Sequence, residues 1–386
     1  MLIRYGTNEK GKRIKVASLY TPEEHKIDKN QLDRDALKII RRLNNAGFDA
    51  YVVGGAVRDL LIGKIPKDFD IATDAQPQQI KRLFRNSRII GRRFQLVHIF
   101  FGPKIIEVST FRSNEVGGAN NNIFGTIEDD VKRRDFTLNA LYYSPNDEYV
   151  LDYVDGYRHI QERRMESLIP LDKTFTDDPV RLIRAVKYAE NSDFTMPFGL
   201  KRAVRRYASE IKRCPSSRLT EEVFKILQCG NSRGVFEALL KYGILPHMLP
   251  RMAAEITGKE GGNLRNRWFA SLALLDDAVN MSQEETPRST MLAYTMEPFL
   301  SPGDAVRVSE FLFLETFKAM KDVFAPITPP NKDVEGAVRE LFTLWGLHAP
   351  RSRKKKRRRP GRSRSGGTEK RPPEHGQRPD SENRTA

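Results

Sequence analysis

The sequence predicts an α+β head, an all-helical neck and body behind it, and a disordered basic carboxyl-terminal tail. Three observations carry this reading. Helical and strand-like apolar patterns alternate up to about residue 160, helical spacing runs almost without a break beyond it, and residues 351–386 contain no Leu, Ile, Val, Phe, Trp or Tyr.

The head opens with a helix over residues 31–46, where Ala36, Ile39, Ile40 and Leu43 recur at helical spacing and Gly47 stops the run. The apolar run Tyr51-Val52-Val53 then reads as a strand that Gly54-Gly55 ends. Near residue 76, Thr73 or Asp74 can cap a second helix, Pro77 suits its first turn, and Ile80, Leu83 and Phe84 form one apolar stripe. Strands follow at about Phe94 to Phe101 and Ile105 to Phe111. Past residue 160, Leu182, Ile183 and Val186, then Val223, Phe224 and Leu227, then Phe236, Leu239 and Leu240 mark successive helices. The expected division is an amino-terminal extension (1–30), the head (31–160), a helical neck (161–250), a helical body (251–350) and the tail (351–386).

The chain has 386 residues, 39% of them hydrophobic, so it can bury cores and is not wholly disordered. No run of about 18 apolar residues is long enough for a membrane span, and the first residues lack an apolar signal core, which leads us to expect a soluble cytoplasmic protein. Cys214 and Cys229 are too few for a disulfide framework, and no Cys/His cluster has zinc-ligand spacing. The formal net charge of +16 points to a polyanionic partner, but the tail alone accounts for +10 of it, with 14 basic residues against 4 acids. Its densest part is Arg353, Lys354, Lys355, Lys356, Arg357, Arg358 and Arg359. Such an arm suits counterion-releasing attraction to the phosphate backbone of RNA or DNA, or else a solubilising or targeting role.

The chemistry is read from acids. In Lys67-Asp68-Phe69-Asp70-Ile71-Ala72-Thr73 the alternation predicts a strand with Asp68 and Asp70 on one face and Phe69 and Ile71 in the core. Two neighbouring carboxylates repel unless a hard divalent cation takes them as oxygen ligands, and Mg²⁺ suits one or two carboxylates completed by water and phosphate. Ahead of them, Gly54-Gly55-Ala56-Val57-Arg58 can let backbone N–H groups approach a triphosphate at a helix start, with Arg58 adding positive potential, or can simply form an ordinary strand-to-helix turn. Neither a GxGxxG nor a GxxxxGK[ST] pattern is present there. A third carboxylate is expected from Glu107, an acid in an otherwise apolar strand and so on its buried side, or from Asp135 between Arg134 and an apolar run. Asp178 and Arg181, three apart in the first turn of a helix opened by Asp177-Asp178-Pro179, can face a base edge or cap the helix.

Taken in order, GGAVRDLLIG, KDFDIAT, RRDFTLNALYY and DDPVRLIRAVKYA resemble the class II nucleotidyltransferases of the polymerase β superfamily, which hold bacterial poly(A) polymerases and CCA-adding enzymes. LFRNSRIIGRRFQLVHIFFGPKIIEVSTFR brings the likeness nearer to the poly(A) polymerases, over roughly residues 20–250. The resemblance implies a polymerase β-like head and metal binding by Asp68 and Asp70. It also implies a catalytic acid at Asp135, a triphosphate lined by Gly54, Gly55, Arg58 and Arg134, and a base contacted by Asp178 and Arg181. The implied reaction adds AMP from ATP to RNA 3′ ends with Mg²⁺ or Mn²⁺, in mRNA polyadenylation and decay. CCA addition to tRNA is the nearest alternative, and a non-catalytic RNA-binding protein is the rival from another class. Two departures stand out: Asp177 replaces the Glu of the family's EDxxR element, and the stretch between Phe111 and Asn122 is short.

Overall fold

A computed structural model describes residues 1–7, 11–91, 95–113, 124–282, 284–301 and 309–350. The predicted arm, including Arg353 to Arg359, lies outside them, as does Phe94.

Among the described residues, nine strands form one sheet: β1 (Leu2–Thr7), β2 (Arg13–Tyr20), β3 (Ala50–Val53), β4 (Asp70–Thr73), β5 (Ser87–Ile90), β6 (Leu96–Phe101), β7 (Lys104–Thr110), β8 (Leu141–Ser144) and β9 (Tyr149–Asp152). Their order is β1-β2-β9-β8-β3-β4-β7-β6-β5. Every neighbouring pair is antiparallel except β4 and β7, which run parallel. The amino-terminal strands belong to this sheet, because Ser18, Leu19 and Tyr20 pair with Asp152, Leu151 and Val150.

Strand alternation splits the central strands between two cores. Val52, Ile71, Tyr143 and Val150 face the main core, while Val53, Ala72, Tyr142 and Leu151 face a smaller one completed by Phe111, Ile127 and Val131. Helix Arg34–Asn45 closes the main core with the predicted stripe Ala36, Ile39, Ile40 and Leu43. Asp33 starts it, its Oδ1 accepting from the Asp35 and Ala36 amides at 2.9 and 3.0 Å. The second predicted helix, Pro77–Leu83, is capped by Gln76 in a reciprocal arrangement with Gln79, and not by Thr73 or Asp74. Thr73 is unavailable because it ends β4 opposite Ala50.

Beyond the sheet the chain is helical, with Val180–Ser192, Ser216–Leu227, Ser232–Lys241, Gly261–Met281, Arg288–Met296, Ser309–Phe324 and Asn331–Leu344 among its helices. Trp268 anchors this part, its ring 5.2 Å from that of Phe236 and 5.8 Å from that of Phe299. Asp276 caps helix Ser232–Lys241 from outside it, accepting from the Ser232 and Arg233 amides at 2.6 and 3.0 Å. None of the described helices is long and apolar enough to cross a membrane.

One close approach holds the loop after Phe136 in place: a Cβ on Gly156 would stand 2.4 Å from the Thr137 carbonyl oxygen. Gly156→Ala should therefore cost about 1–3 kcal/mol, read as a lower thermal midpoint. An unchanged midpoint would show that this loop yields freely.

Candidate active site

Strand β3 runs into Gly54, whose φ of 71° and ψ of −128° is a conformation that side chains disfavour strongly. The chain turns there into helix Gly55–Leu61, so the β3–β4 ladder ends at the pair Val53–Asp70. The predicted strand over residues 67–73 is correspondingly shorter. Asp70 is its first residue, and Asp68 lies on the approaching loop because Gly54 leaves it no strand partner. Phe69 is half-buried against the main core and Ile71 is fully buried.

Glu107 reaches the same place through the parallel pair. Ile71 stands opposite Val108, so one step earlier Glu107 flanks Asp70. It lies on the open face and not on the buried side its sequence context suggests, since Ile106 and Val108 take the core side by alternation. Its Oε1 is 3.2 Å from His98 Nε2. Asp70, Glu107 and Arg134 line a pocket of about 270 Å³, and Asp68 and Asp70 also line a larger cleft of about 1030 Å³. Asp70 is exposed to the cleft at the end of its strand, yet the walls around its carboxyl, then Glu107, then Asp68 push it up to about 6. No three His, Cys, Asp or Glu among the described residues form a ready-made metal cage. Mg²⁺ needs only one or two carboxylates with water and phosphate oxygens. Asp68 and Asp70 are hard donors opening on a cleft and crowded by negative charge, and they fit that ion.

Asp135 is placed differently. It lines the larger cleft yet is only 7% exposed. Its Oδ1 accepts from the Phe136 amide at 2.8 Å and from Asn139 Nδ2 at 3.1 Å, and its Oδ2 is 3.6 Å from Arg184. Arg58 is likewise engaged: it donates to Asp59 Oδ1 at 2.7 and 2.9 Å and to Asn139 Oδ1 at 2.9 Å, with Tyr188 under its guanidinium. Arg134 donates to the Tyr142 hydroxyl at 3.0 Å, the Asn139 carbonyl at 3.1 Å and Asp130 Oδ2 at 2.9 Å. It borders both cavities, and its charge favours the ionised form of Asp70. A Cβ on Gly54 would sit 3.5 Å from Arg134 Nη1 and one on Gly55 3.6 Å from Arg58 Nη2, both ordinary contacts. The requirement at Gly54 is thus its backbone angle.

Asp178 is not in the first turn of a helix. Helix Leu171–Asp177 ends before it and Val180–Ser192 begins after it, because Pro179 interrupts the amide ladder. In this break Asp178 Oδ2 accepts from Arg218 at 3.0 Å, while Oδ1 is buried without a hydrogen-bond partner among the described residues. Arg181 donates to the carbonyls of Thr174 and Arg133, each at 3.3 Å. Both residues line the large cleft.

The sequence reading missed a charged chain behind these residues. Arg184 joins Asp135 to Glu222, 3.4 Å away, and Lys187 approaches Glu222 at 3.3 Å. Against its burial, Lys187 and Arg184 hold the Glu222 carboxyl below its usual range. Arg181, Arg184 and Lys187 recur every third residue on one helix, a signal visible in the sequence. Lys67 also donates to the Gln228 carbonyl at 2.8 Å, tying the Asp68 loop to helix Ser216–Leu227.

A family model described as the poly A polymerase head domain matches residues 50–166, and one described as a probable RNA and SrmB-binding site of polymerase A matches residues 193–256. The poly(A) polymerase I of Salmonella typhi is 37% identical over 319 residues, and that of Escherichia coli 40% over 318. Each match covers 78% of this chain and 68% of the relative. A CC-adding tRNA nucleotidyltransferase of Halalkalibacterium halodurans is 34% identical over 50% of this chain and 48% of its own. Among solved structures, a tRNA nucleotidyltransferase complexed with a primer tRNA and an incoming ATP analog matches with a TM-score of 0.56 at 22% identity, over 79% of this chain and 84% of that one. The CCA-adding enzyme of Bacillus stearothermophilus in complex with CTP matches at 0.52 and 23% identity, over 82% and 83%. These structures share the fold. With relatives of this identity matched over more than two thirds of both chains, the protein belongs to the poly(A) polymerase family of nucleotidyltransferases.

Proposed function

We propose that this enzyme adds AMP from ATP to the 3′ ends of RNA without a template. The supporting observation is the group of acids at the open end of β4, where Asp70 carries Glu107 and Asp68 as like-charged neighbours, in a chain of the poly(A) polymerase family. The RNA 3′-hydroxyl gives up its proton to solvent and its oxygen forms a bond to the α-phosphorus of ATP. The bond from that phosphorus to the bridging oxygen breaks, and pyrophosphate leaves.

In this reading Asp68 and Asp70 would hold Mg²⁺, which when bound would neutralise charge on the triphosphate and lower the pKa of the attacking hydroxyl. The backbone at Gly54 and Gly55 gives the triphosphate room, and Arg134 stands beside it. Asp135, fixed by Asn139 and Arg184, keeps the loop from Arg134 to Asn139 in shape. Asp178 and Arg181 both line the cleft and would meet the edge of the incoming base there. RNA binding is supported by the model matched over residues 193–256.

Asp68→Ala and Asp70→Ala should each abolish AMP incorporation into an unrelated RNA while leaving RNA affinity nearly intact. Rates near those of the unaltered enzyme would overturn the metal assignment, and CTP incorporation confined to tRNA lacking its 3′ end would make CCA addition the activity.

A pH effect follows as well. The walls of the cleft, then Glu107 and Asp68, push the Asp70 carboxyl up to about 6 in the fold, against about 3.9 in an unfolded chain. Between those values the folded state binds more protons, so stability falls as pH rises through that window and stays reduced above it. Asp70→Asn should therefore melt above the unaltered protein at pH 7.5 in EDTA, lose that advantage below about pH 4, and gain less from added Mg²⁺. Equal midpoints at pH 7.5 would contradict the crowding of Asp70.

A further inference from the structure

We propose that the outer face of helix Phe198–Arg206 is a platform for single-stranded RNA, on which one base stacks against Phe198 while the basic side chains behind it follow the phosphates. This rests on the reading of RNA as substrate; the helix lies within residues 193–256, which the RNA-binding family model already matches, and the proposal adds which face and which side chains hold the strand and how. The first observation is charge. Residues 1–350 carry a net charge of only +6, whereas residues 198–213 contain six basic residues, Lys201, Arg202, Arg205, Arg206, Lys212 and Arg213, against the single acid Glu210. The segment thus has a net charge of +5 over 16 residues, a strongly basic stretch though not the only one, since residues 81–93 carry six cations and no acid. Lys201, Arg202, Arg205, Arg206 and Lys212 form no ion pair among the described residues. Only Arg213 has an acidic partner, Glu210 at 2.7 Å.

The second observation is Phe198, which is 80% exposed at the start of this helix, while Leu200, Ala203 and Val204 turn into the core. Helical spacing puts Lys201 and Arg202, then Arg205 and Arg206, behind the phenyl ring on the outward side. The two arginines are braced by aromatic rings: Arg205 lies 4.9 Å over Tyr242 and Arg206 5.6 Å over Tyr207. An exposed apolar ring leading a row of unpaired cations suits a chain that offers bases and phosphates together, as single-stranded RNA does. A duplex would offer phosphates but no unstacked base. The face also lies near the site. Helix Leu171–Asp177 packs against helix Phe198–Arg206, with Phe175 and Tyr207 rings 6.3 Å apart, and leads directly to Asp178 in the cleft.

The test is fluorescence anisotropy of the full chain with oligo(A) of about 16 nucleotides, the upper end of such footprints, across a salt series. Phe198→Ala should weaken binding about fivefold or more with an unchanged salt slope, since stacking releases no counterions, and Phe198→Trp should restore it. The double variant Lys201→Gln, Arg202→Gln should flatten the slope by about 1.4. AMP addition to a dinucleotide primer should proceed at the unaltered rate in all three. Unaltered affinity and slope in Phe198→Ala and in the double variant would overturn the platform, whether the face is then merely solvated or belongs to a protein. That result would leave the functional reading standing. An unaltered enzyme that neither binds the oligonucleotide nor extends it would overturn the functional reading itself.

Discussion

The turn at Gly54 is the constraint on which the site depends. A φ of 71° ends the β3–β4 ladder at Val53–Asp70 and sends the chain away from the sheet. Asp70 is thereby left at the open end of a central strand, Asp68 has no ladder partner, and the parallel register of β4 and β7 brings Glu107 alongside. A residue with a Cβ would have room at position 54 but would carry the strain of that backbone angle. Crowded acids are what the fold obtains from this geometry, and by themselves they are unfavourable. Their arrangement makes sense as a cation site whose cost is relieved on binding.

Around these acids the remaining charges are largely satisfied within the protein. Arg58, Arg134 and Asp135 meet at Asn139, whose side chain accepts from Arg58 and donates to Asp135 and whose carbonyl accepts from Arg134. Arg184 then carries the network to Glu222 on the next helical layer. Buried ion pairs of this kind add little net stability against apolar replacements, yet breaking one leaves an uncompensated charge. Their effect here is positional: the loop bearing Arg134 and the helix bearing Arg181 keep a fixed relation across the cleft.

Much of the fold was legible in the sequence because it rests on periodicity. The stripe of helix Arg34–Asn45, the strand before Gly54 and the shift to unbroken helix beyond residue 160 all follow from apolar spacing. Strands β1, β2, β5, β8 and β9 were not individually readable: β1 is exposed along nearly all its length and so shows no buried face, only part of β2 is covered, and β5, β8 and β9 have four residues each, too few to establish an alternation. Strand length around Asp68 was misread for a similar reason: local alternation continues there, but the pairing strand has already turned away. Glu107 stands beside Asp70 but on the open side of its strand and not on the buried side expected, because apolar neighbours in sequence do not say which face is covered. The break at Asp178 was obscured by acids that suit a helix start equally well. The Arg184–Glu222 link joins residues 38 apart, so spacing could mark only one half of it.

The central claim is that the surrounding walls first, and Glu107 and Asp68 after them, push the Asp70 carboxyl upward, and that a divalent cation would bring it back down. Carbon-13 NMR titration of the Asp70 carboxyl, without metal and then with Mg²⁺, tests this most directly. The account predicts a midpoint near 6 without metal and a clear fall when Mg²⁺ is added. A midpoint at the ordinary aspartate value of about 3.9, unmoved by Mg²⁺, would contradict it.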